Sequence, residues 1–382
     1  MKTDFDISTD DIGLYKGKEG IFVTFGEVMI RDTPADLERL ERTRQVYISL
    51  AGSEFTLAVG LSRLGIPSTF ITRVPDNPYG WAVRNVGRES GVNTDHVVWT
   101  SPTDPIGRML YELGRTPRRN VVYYQRKYST ASLFGKGMVN WGKILQKTKI
   151  FHTSGITFGL STHSGYSENF CLEAFLDAVN HKPANCWVGL DLNYRESLWN
   201  KDQARSVLTQ VIEDHIDILI TTIEDMATLY NISCGKSSVE KIVNGNINQI
   251  TDDDIRNFAE VIIKKFKLKI LAITIRYPLN FENHLWESVV VDYEGNYFRS
   301  PSIHSICLVD RLGGGDTWNA GFYYGLLTSG FSFDGIQKGV LVGDAASRLQ
   351  QTLMFDLPII DRKEVGRLLQ TDNSGGGKRV AR

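Results

Sequence analysis

Short apolar segments recur along the chain and alternate with segments whose apolar residues have helical spacing. The apolar segments have few polar interruptions, which is typical of strands covered on both faces. The predicted strands are Ile21–Ile30, Ser68–Val74, Phe151–Ile156, Cys186–Leu192, Ile216–Thr221, Ile270–Ile275 and a strand ending in Ile306–Val309. The predicted helices run from Ala51 through Leu64, and over Trp81–Ser90, Glu168–Asn180, Phe258–Phe266 and Phe322–Leu327. This alternation predicts an α/β fold with a doubly wound, mainly parallel sheet flanked by helices on both faces.

A second pattern interrupts the alternation. Ile106–Gly114 and Val121–Tyr124 form a predicted pair of strands joined by a basic turn. Together with residues from about 28–50 they predict a small β-sheet lid over the main sheet, with its strands within 28–50 and 104–126. Within the first of these regions, Arg31–Arg44 is predicted as a loop or short helix because of its many charges.

These patterns predict one domain over residues 21–370. Residues 1–20 form a polar N-terminal extension, and residues 371–382, with three consecutive glycines, are predicted to be a disordered tail. Asn231–Asp254 is polar and is predicted to be a surface insertion.

Composition excludes several classes of protein. The chain has 43 basic and 44 acidic residues, so a nucleic acid or anionic membrane partner is not expected. Its four cysteines form no metal-ligand pattern. The first 20 residues lack the apolar core of a signal peptide, and no apolar run is long enough to span a membrane. A cytoplasmic location is therefore expected.

The segment with the clearest chemistry is D-R-L-G-G-G-D-T-W-N-A-G, residues 310–321, between a predicted strand and a predicted helix. Gly313, Gly314 and Gly315 allow positive φ angles and leave backbone N–H groups unshielded at a helix N-terminus, where the dipole favours an anion. Asp316 inside this turn could accept a proton from a hydroxyl that attacks a phosphoryl group. The alternative is a glycine-rich connection in which Asp316 only caps the helix.

Other catalytic motifs are missing. Cys234–Ser237 has the end of a phosphate-binding Walker A loop, but Tyr230 stands at the position of its first glycine. The sequence contains no HExxH, no GxSxG and no GxGxxG after a strand. A metal-dependent hydrolase, a serine hydrolase and a dinucleotide-binding enzyme thus lack support.

Residues 310–321 resemble the signature of the ribokinase family of sugar kinases, in which the second Asp is the catalytic base and the preceding backbone forms the anion hole. Further segments resemble one branch of that family, the 2-keto-3-deoxygluconate kinases, from about Ile21 to about Leu369. They are Ala51–Thr56, Gly107–Glu112, Val121–Arg126, His152–Thr157, Asp191–Trp199 and Ala272–Arg276.

The resemblance implies a ribokinase-like fold and a set of site residues. The catalytic residues would be Asp316 with Gly313, Gly314 and Gly315. The sugar would contact Gly52, Thr56, Tyr123, Tyr124, Arg126, Asn193, Arg195 and Asp316. ATP would contact Thr222, Asp225, Thr274, Arg276, Gly313 and Gly315, with Asp225 also acting indirectly on Mg²⁺. A sugar acid carries a carboxylate, and guanidinium groups such as those of Arg126 and Arg195 pair with carboxylates bidentately.

Three positions depart from the family pattern. Thr56 and Thr222 each stand where relatives have Asn, and Leu353–Asp356 stands where relatives often have a Gly-Asp pair. None of these changes touches Asp316.

The expected function is ATP- and Mg²⁺-dependent phosphorylation of a primary hydroxyl, with 2-keto-3-deoxygluconate converted to its 6-phosphate. The alternatives are a kinase for another sugar (fructose, ribose or a different keto-deoxy acid) and a sugar-binding regulator without turnover. The expected partner is a small sugar acid, with no nucleic acid and no membrane. Because a lid sheet exposes strand edges, a homodimer or higher homo-oligomer through the lid is also predicted.

Overall fold

A computed structural model describes residues 21–235, 242 and 250–374. The predicted N-terminal extension, most of the predicted insertion and residues 375–382 lie outside the described residues. The last helix continues through Ser374, so the prediction of a disordered tail from residue 371 is wrong for residues 371–374.

The fold alternates strands and helices over most of the described chain. The strands, in chain order, are β1 (Phe22–Phe25), β2 (Met29–Pro34), β3 (Val46–Ala51), β4 (Ser68–Ile71), β5 (Arg73–Pro75), β6 (Val98–Thr100), β7 (Arg108–Glu112), β8 (Val121–Gln125), β9 (Ile150–Ser154), β10 (Trp187–Asp191), β11 (Ile218–Thr222), β12 (Ile270–Pro278), β13 (Asn283–Asp292), β14 (Tyr297–Arg299) and β15 (His304–Cys307). The helices are α1 (Ser53–Arg63), α2 (Pro78–Glu89), α3 (Trp141–Leu145), α4 (Gly155–His163), α5 (Phe170–His181), α6 (Lys201–His215), α7 (Ile223–Tyr230), α8 (Asp252–Phe266), α9 (Gly314–Ser329), α10 (Phe333–Gln350) and α11 (Arg362–Ser374).

The main sheet has the strand order β14-β13-β12-β11-β10-β9-β1-β4, with β15 paired to β13. Strands β4 to β12 along this order are parallel, and β13 and β14 add an antiparallel edge. The prediction of a mainly parallel sheet is therefore confirmed.

Helices cover both faces of the main sheet, which explains why its strands are apolar without alternation. Along β11, Leu219 packs into one hydrophobic core, while Ile218 and Ile220 pack into the other. The first core includes residues of α4 to α8, and the second includes residues of α1, α9, α10 and α11.

The predicted small sheet is present, with the strand order β3-β2-β7-β8. Its strands lie within the two predicted regions, except that β3 continues to Ala51, one residue beyond the first region. The prediction of a loop or short helix from Arg31 is wrong at its start. Arg31–Pro34 belongs to β2, which pairs with β3 on one side and with β7 on the other. The charges there are accommodated because Arg31 and Asp32 form ion pairs.

Two helices begin where the predictions placed no helix start, at positions that are set by their N-cap residues. Ser154 ends β9 and is the N-cap of α4, so the last two residues of the predicted strand, Gly155 and Ile156, are helical. Helix α8 begins at Asp252, six residues before the predicted start, because Thr251 forms a capping box with Asp254. Among the described residues, no helix combines the length and apolarity needed to cross a bilayer.

Candidate active site

A cavity of about 310 Å³ lies where the carboxyl ends of the main-sheet strands meet the small sheet. Asp191 at the end of β10, Thr222 at the end of β11 and Thr274 in β12 line its floor. Met29, Met109 and Tyr124 of the small sheet line the opposite wall. Ligands of open α/β sheets bind at this edge, so the topology places the cavity where a binding site is expected.

The glycine turn forms one wall of the cavity. Gly313 is the N-cap of α9 with φ +75°, and a Cβ there would lie 2.2 Å from the carbonyl oxygen of Asp356. Both the backbone conformation and the close contact therefore require glycine. Gly314 is buried, and a Cβ there would lie 2.8 Å from the side chain of Gln351. It does not line the cavity.

Gly315 is different, because it is exposed and a Cβ there would meet nothing within 4 Å. No packing within the described chain therefore requires glycine at this position. No side chain of the described residues caps the first turn of α9, and Gly313 and Gly315 line the cavity, so the positive end of the helix dipole lies at the cavity. The turn thus offers backbone donors and open space to an anion, and a phosphate group fits this environment.

Asp316 lies on the cavity wall next to this turn and is partly exposed. Its Oδ1 accepts a hydrogen bond from Ser53 Oγ at 2.5 Å, and Asn193 Nδ2 donates to the same hydroxyl at 3.4 Å. Burial raises the pKa of Asp316, while the Ser53 hydrogen bond and the charge of Arg195 lower it. The carboxyl group can therefore act as a proton acceptor that faces the cavity.

Two further carboxyl groups border Asp316. Burial and the charge of Asp316 together raise the pKa of Asp191 to about 7, although a hydrogen bond from Asn319 lowers it. Burial also raises the pKa of Glu54 to about 7, although Glu54 Oε1 accepts hydrogen bonds from Ser154 and Thr157. Carboxyl groups with a pKa of about 7 are partly protonated at neutral pH, so they carry less of the negative charge that would oppose an incoming phosphate.

The arginines of the cavity are not equivalent. Arg126 is buried and pairs with Glu27 through Nε to Oε2 at 2.8 Å and through Nη2 to the same oxygen. Its charge is therefore largely neutralised within the protein. Among the residues that the structure describes, Arg195 donates only to the carbonyl oxygen of Tyr194, at 2.9 Å, and it lines the cavity near Asp316. Arg195 is thus the guanidinium group more available to an anionic ligand.

Most of the predicted site residues meet in this cavity. Those on its wall are Gly52, Tyr124, Arg126, Asn193, Arg195, Thr222, Asp225, Thr274, Arg276, Gly313, Gly315 and Asp316. Gly314, Thr56 and Tyr123 are not among the lining residues. Thr56 is fully buried in α1, and its predicted sugar contact stays a prediction. Tyr123 is 56% exposed, because neighbouring residues of β8 face opposite sides of the small sheet and only Tyr124 points into the cavity.

The cavity residues that the sequence predictions missed include Ser53, Glu54, Asp191 and Arg311. Each lies inside a segment that did attract attention, namely Ala51–Thr56, Asp191–Trp199 or residues 310–321. Their position next to glycines and strand ends was the sequence signal that could have identified them as site residues. Their partners come from distant segments, so the contacts themselves could not be predicted locally.

The site has few ligands for a metal. In the part of the chain that the structure describes, no group of three or more His, Cys, Asp or Glu side chains could hold a metal ion. Glu224 and Asp225 line the cavity, and Thr222 accepts a hydrogen bond from the Asp225 N–H at 3.1 Å. Mg²⁺ in nucleotide sites is bound by one or two carboxylates together with phosphates and water, and this arrangement is compatible with that pattern.

The fold and the cavity together are those of a ribokinase-like kinase, with a helix N-terminus beside an acidic side chain. The chain belongs to the pfkB family of carbohydrate kinases, whose family model matches residues 22–250.

Individual relatives extend the similarity beyond that match. The 2-dehydro-3-deoxygalactonokinase of Haloferax volcanii is 25% identical over 353 residues, which cover 92% of this chain and 98% of the relative. The crystal structure of 2-dehydro-3-deoxygluconokinase from Thermotoga maritima has a TM-score of 0.80 and 29% identity, covering 91% of this chain and 99% of that one. A candidate ribokinase II from E. coli, solved in complex with ATP and Mg²⁺, has a TM-score of 0.70 at 16% identity, covering 92% and 99% of the two chains, and so shares the fold.

Proposed function

We propose that this carbohydrate kinase transfers the γ-phosphate of ATP to a primary hydroxyl of a 2-keto-3-deoxy sugar acid, with 2-keto-3-deoxygluconate as substrate and its 6-phosphate as product. One observation carries the proposal: at the N-terminus of α9, Asp316 and Gly315 both line the cavity, and no atom fills the space beside the Gly315 backbone. The relatives named for kinases of two such sugar acids support this class of substrate.

In this proposal, Asp316 takes the proton of the attacking hydroxyl, and the N–H groups of the glycine turn stabilise the charge that develops on the transferred phosphoryl group. ATP is held with its phosphates against Gly313 and Gly315. Thr222, Asp225, Thr274 and Arg276 form the remaining predicted nucleotide contacts, and all of them line the cavity.

When Mg²⁺ is bound with the nucleotide, it neutralises phosphate charge, and we assign Asp225 an indirect part in holding it. The small sheet covers the cavity from the other side, so its residues exclude water that would otherwise hydrolyse ATP.

The carboxylate of the sugar acid is assigned chiefly to Arg195. Arg126 is already paired with Glu27, so a second carboxylate would have to compete for its guanidinium group. Gly52, Tyr124 and Asn193 are then left to contact the rest of the sugar. Tyr124 can stack on the sugar because its ring lines the cavity.

Two alternatives differ from this proposal, one in the substrate and one in the activity. The Haloferax relative is named for the galactonate isomer, so 2-keto-3-deoxygalactonate is the second candidate substrate. The second alternative is a regulator without turnover, because Thr56 and Thr222 stand where relatives have Asn. Thr56 is buried and does not line the cavity, whereas Thr222 does, and the presence of Asp316 on the cavity wall favours turnover over the regulator.

The test is a coupled ADP-release assay with both keto-deoxy acids, fructose and ribose, using the wild type and Asp316→Asn. The wild type should phosphorylate a keto-deoxy acid fastest, and loss of the proton acceptor should lower kcat about 10²–10⁴-fold. Faster phosphorylation of a neutral sugar would exclude the proposed substrate. Sugar binding without ADP release would identify a regulator, and an unchanged rate in Asp316→Asn would exclude Asp316 as the base.

We also propose a homodimer through the outer face of the small sheet. Ile48 on β3 is 59% exposed and Tyr123 on β8 is 56% exposed, and both strands are edges of that sheet. Edge strands with exposed apolar side chains favour pairing with another chain. Light scattering should give the mass of a dimer for the wild type and of a monomer for Ile48→Lys; a monomeric wild type contradicts this assembly.

A further inference from the structure

The small sheet contains a fully buried arginine, Arg31, in β2, one of its two inner strands. Its Nη1 donates to Asp356 Oδ1 at 2.6 Å, its Nη2 donates to Asp310 Oδ2, and its Nε donates to Thr33 Oγ1 at 2.9 Å. The guanidinium group also lies 4.5 Å from the ring centroid of Tyr111, in the neighbouring strand β7. Every nitrogen of this side chain is therefore engaged, and the charge has no contact with the cavity.

Both carboxylates that hold Arg31 are attached to the phosphate-binding turn. Asp310 opens the segment that leads into Gly313, and its Oδ1 accepts a hydrogen bond from the Leu312 N–H at 3.1 Å. Asp356 lies against the turn from the other side, since its carbonyl oxygen occupies the place of a Cβ on Gly313.

The two anchor segments are also joined to each other, because the Phe355 N–H donates to Asp310 Oδ2 at 3.3 Å. Arg31 thus connects the small sheet to the two segments between which the glycine turn is held.

A guanidinium group suits this role because its planar fork can bind two carboxylates at fixed angles, whereas an ammonium group is a single point charge. Stability alone is a weak explanation, since a buried ion network often contributes no more than apolar residues of the same volume. Removing the cation would leave two buried carboxylates next to each other. Their repulsion would act on Asp310 and Asp356, and through them on the backbone of Gly313.

We infer that Arg31 is a positioning residue, which holds the Gly313–Gly315 turn in its phosphate-accepting geometry through Asp310 and Asp356. The inference rests on the proposed function, since it concerns the nucleotide side of the same cavity. The small sheet then has two roles: it covers the sugar, and through Arg31 it stabilises the backbone geometry of the Gly313–Gly315 turn.

The test compares Arg31→Ala with Arg299→Ala as a matched control. Arg299 also pairs with a buried carboxylate, donating to Glu287 at 2.6 and 2.8 Å, but it does not line the cavity. Affinity for ADP–Mg²⁺ is measured by calorimetry without any sugar, and kcat is measured with the sugar that the wild type phosphorylates. Circular dichroism and thermal unfolding check that each variant is folded.

Arg31→Ala should lose ADP affinity, and its kcat should fall about 100-fold, as expected when a reacting group is misplaced by about 1 Å. Added guanidinium, at concentrations far below those that denature, should restore part of both, because the ion can enter the vacated site. Arg299→Ala should keep its ADP affinity and should gain nothing from guanidinium. If Arg31→Ala does not fold, Arg31→Lys keeps the charge and should show a smaller loss of the same kind.

The inference is overturned if a folded Arg31 variant binds ADP as the wild type does, if Arg299→Ala loses as much affinity, or if guanidinium restores neither quantity in Arg31→Ala. The ADP affinities are measured without sugar and are therefore independent of the substrate. If the wild type phosphorylates no sugar but the ADP affinity follows Arg31 as described, the proposed function fails and the positioning role remains.

Discussion

The hydroxyl of Ser53 donates the hydrogen bond at 2.5 Å that Asp316 Oδ1 accepts, so Ser53→Ala changes the environment of the proposed base without changing the base. Because this bond stabilises the charged carboxylate, its loss should raise the pKa of Asp316. A base with a raised pKa is protonated over more of the acidic range. The acidic limb of kcat/KM should therefore move to higher pH.

The size of the effect follows from the type of hydrogen bond. A bond to a charged acceptor is worth about 1.5–3 kcal/mol, and the lower end applies because Asp316 is partly exposed and water can replace the hydroxyl. About 1.5 kcal/mol corresponds to roughly tenfold in rate. On the acidic limb, Ser53→Ala should be about tenfold slower than the wild type, and the two rates should converge at alkaline pH.

The assay is ADP release at limiting sugar, followed between about pH 5 and pH 9, because kcat/KM reports the ionisation of the free enzyme. Ser53→Thr, which keeps a hydroxyl, is the control and should retain the wild-type limb. A limb that stays in place in Ser53→Ala, or moves to lower pH, would refute the reasoning. A uniform loss at every pH would indicate damage to sugar binding instead.

Three further predictions follow from the cavity. Gly315→Ala should fold at least as stably as the wild type, since its Cβ meets no atom within 4 Å, yet it should weaken ADP binding; thermal unfolding and calorimetry check both. Burial raises the pKa of Glu54 to about 7 from 4.5, so the stability that its proton uptake contributes at low pH should be lost as pH rises through this window. Urea unfolding at about pH 4.5 and at about pH 7 should show a smaller decline in the free energy of unfolding for Glu54→Gln than for the wild type. Equal declines would contradict the raised pKa of Glu54. Tyr124→Ala should raise the KM for sugar while Tyr123→Ala should not, because only Tyr124 lines the cavity; equal KM values in steady-state kinetics would exclude stacking.

The sequence by itself determined the architecture of this protein. Apolar strands without alternation require cover on both faces, and that requirement led to a mainly parallel sheet between two helix layers. The change of pattern at 28–50 and 104–126 located the small sheet. The three glycines before Asp316 located the turn at the N-terminus of α9, since their effect on the backbone is local.

The tertiary structure alone decided which charges are free. Arg126 is paired with Glu27, 99 residues away, and Arg31 is held by residues 279 and 325 positions away. Nothing near these arginines in the chain distinguishes them from Arg195, whose guanidinium group stays available to a ligand. The physical reason is that ion pairing depends on distances in space of a few ångströms, and these are set by which strand ends the fold brings to one edge of the sheet.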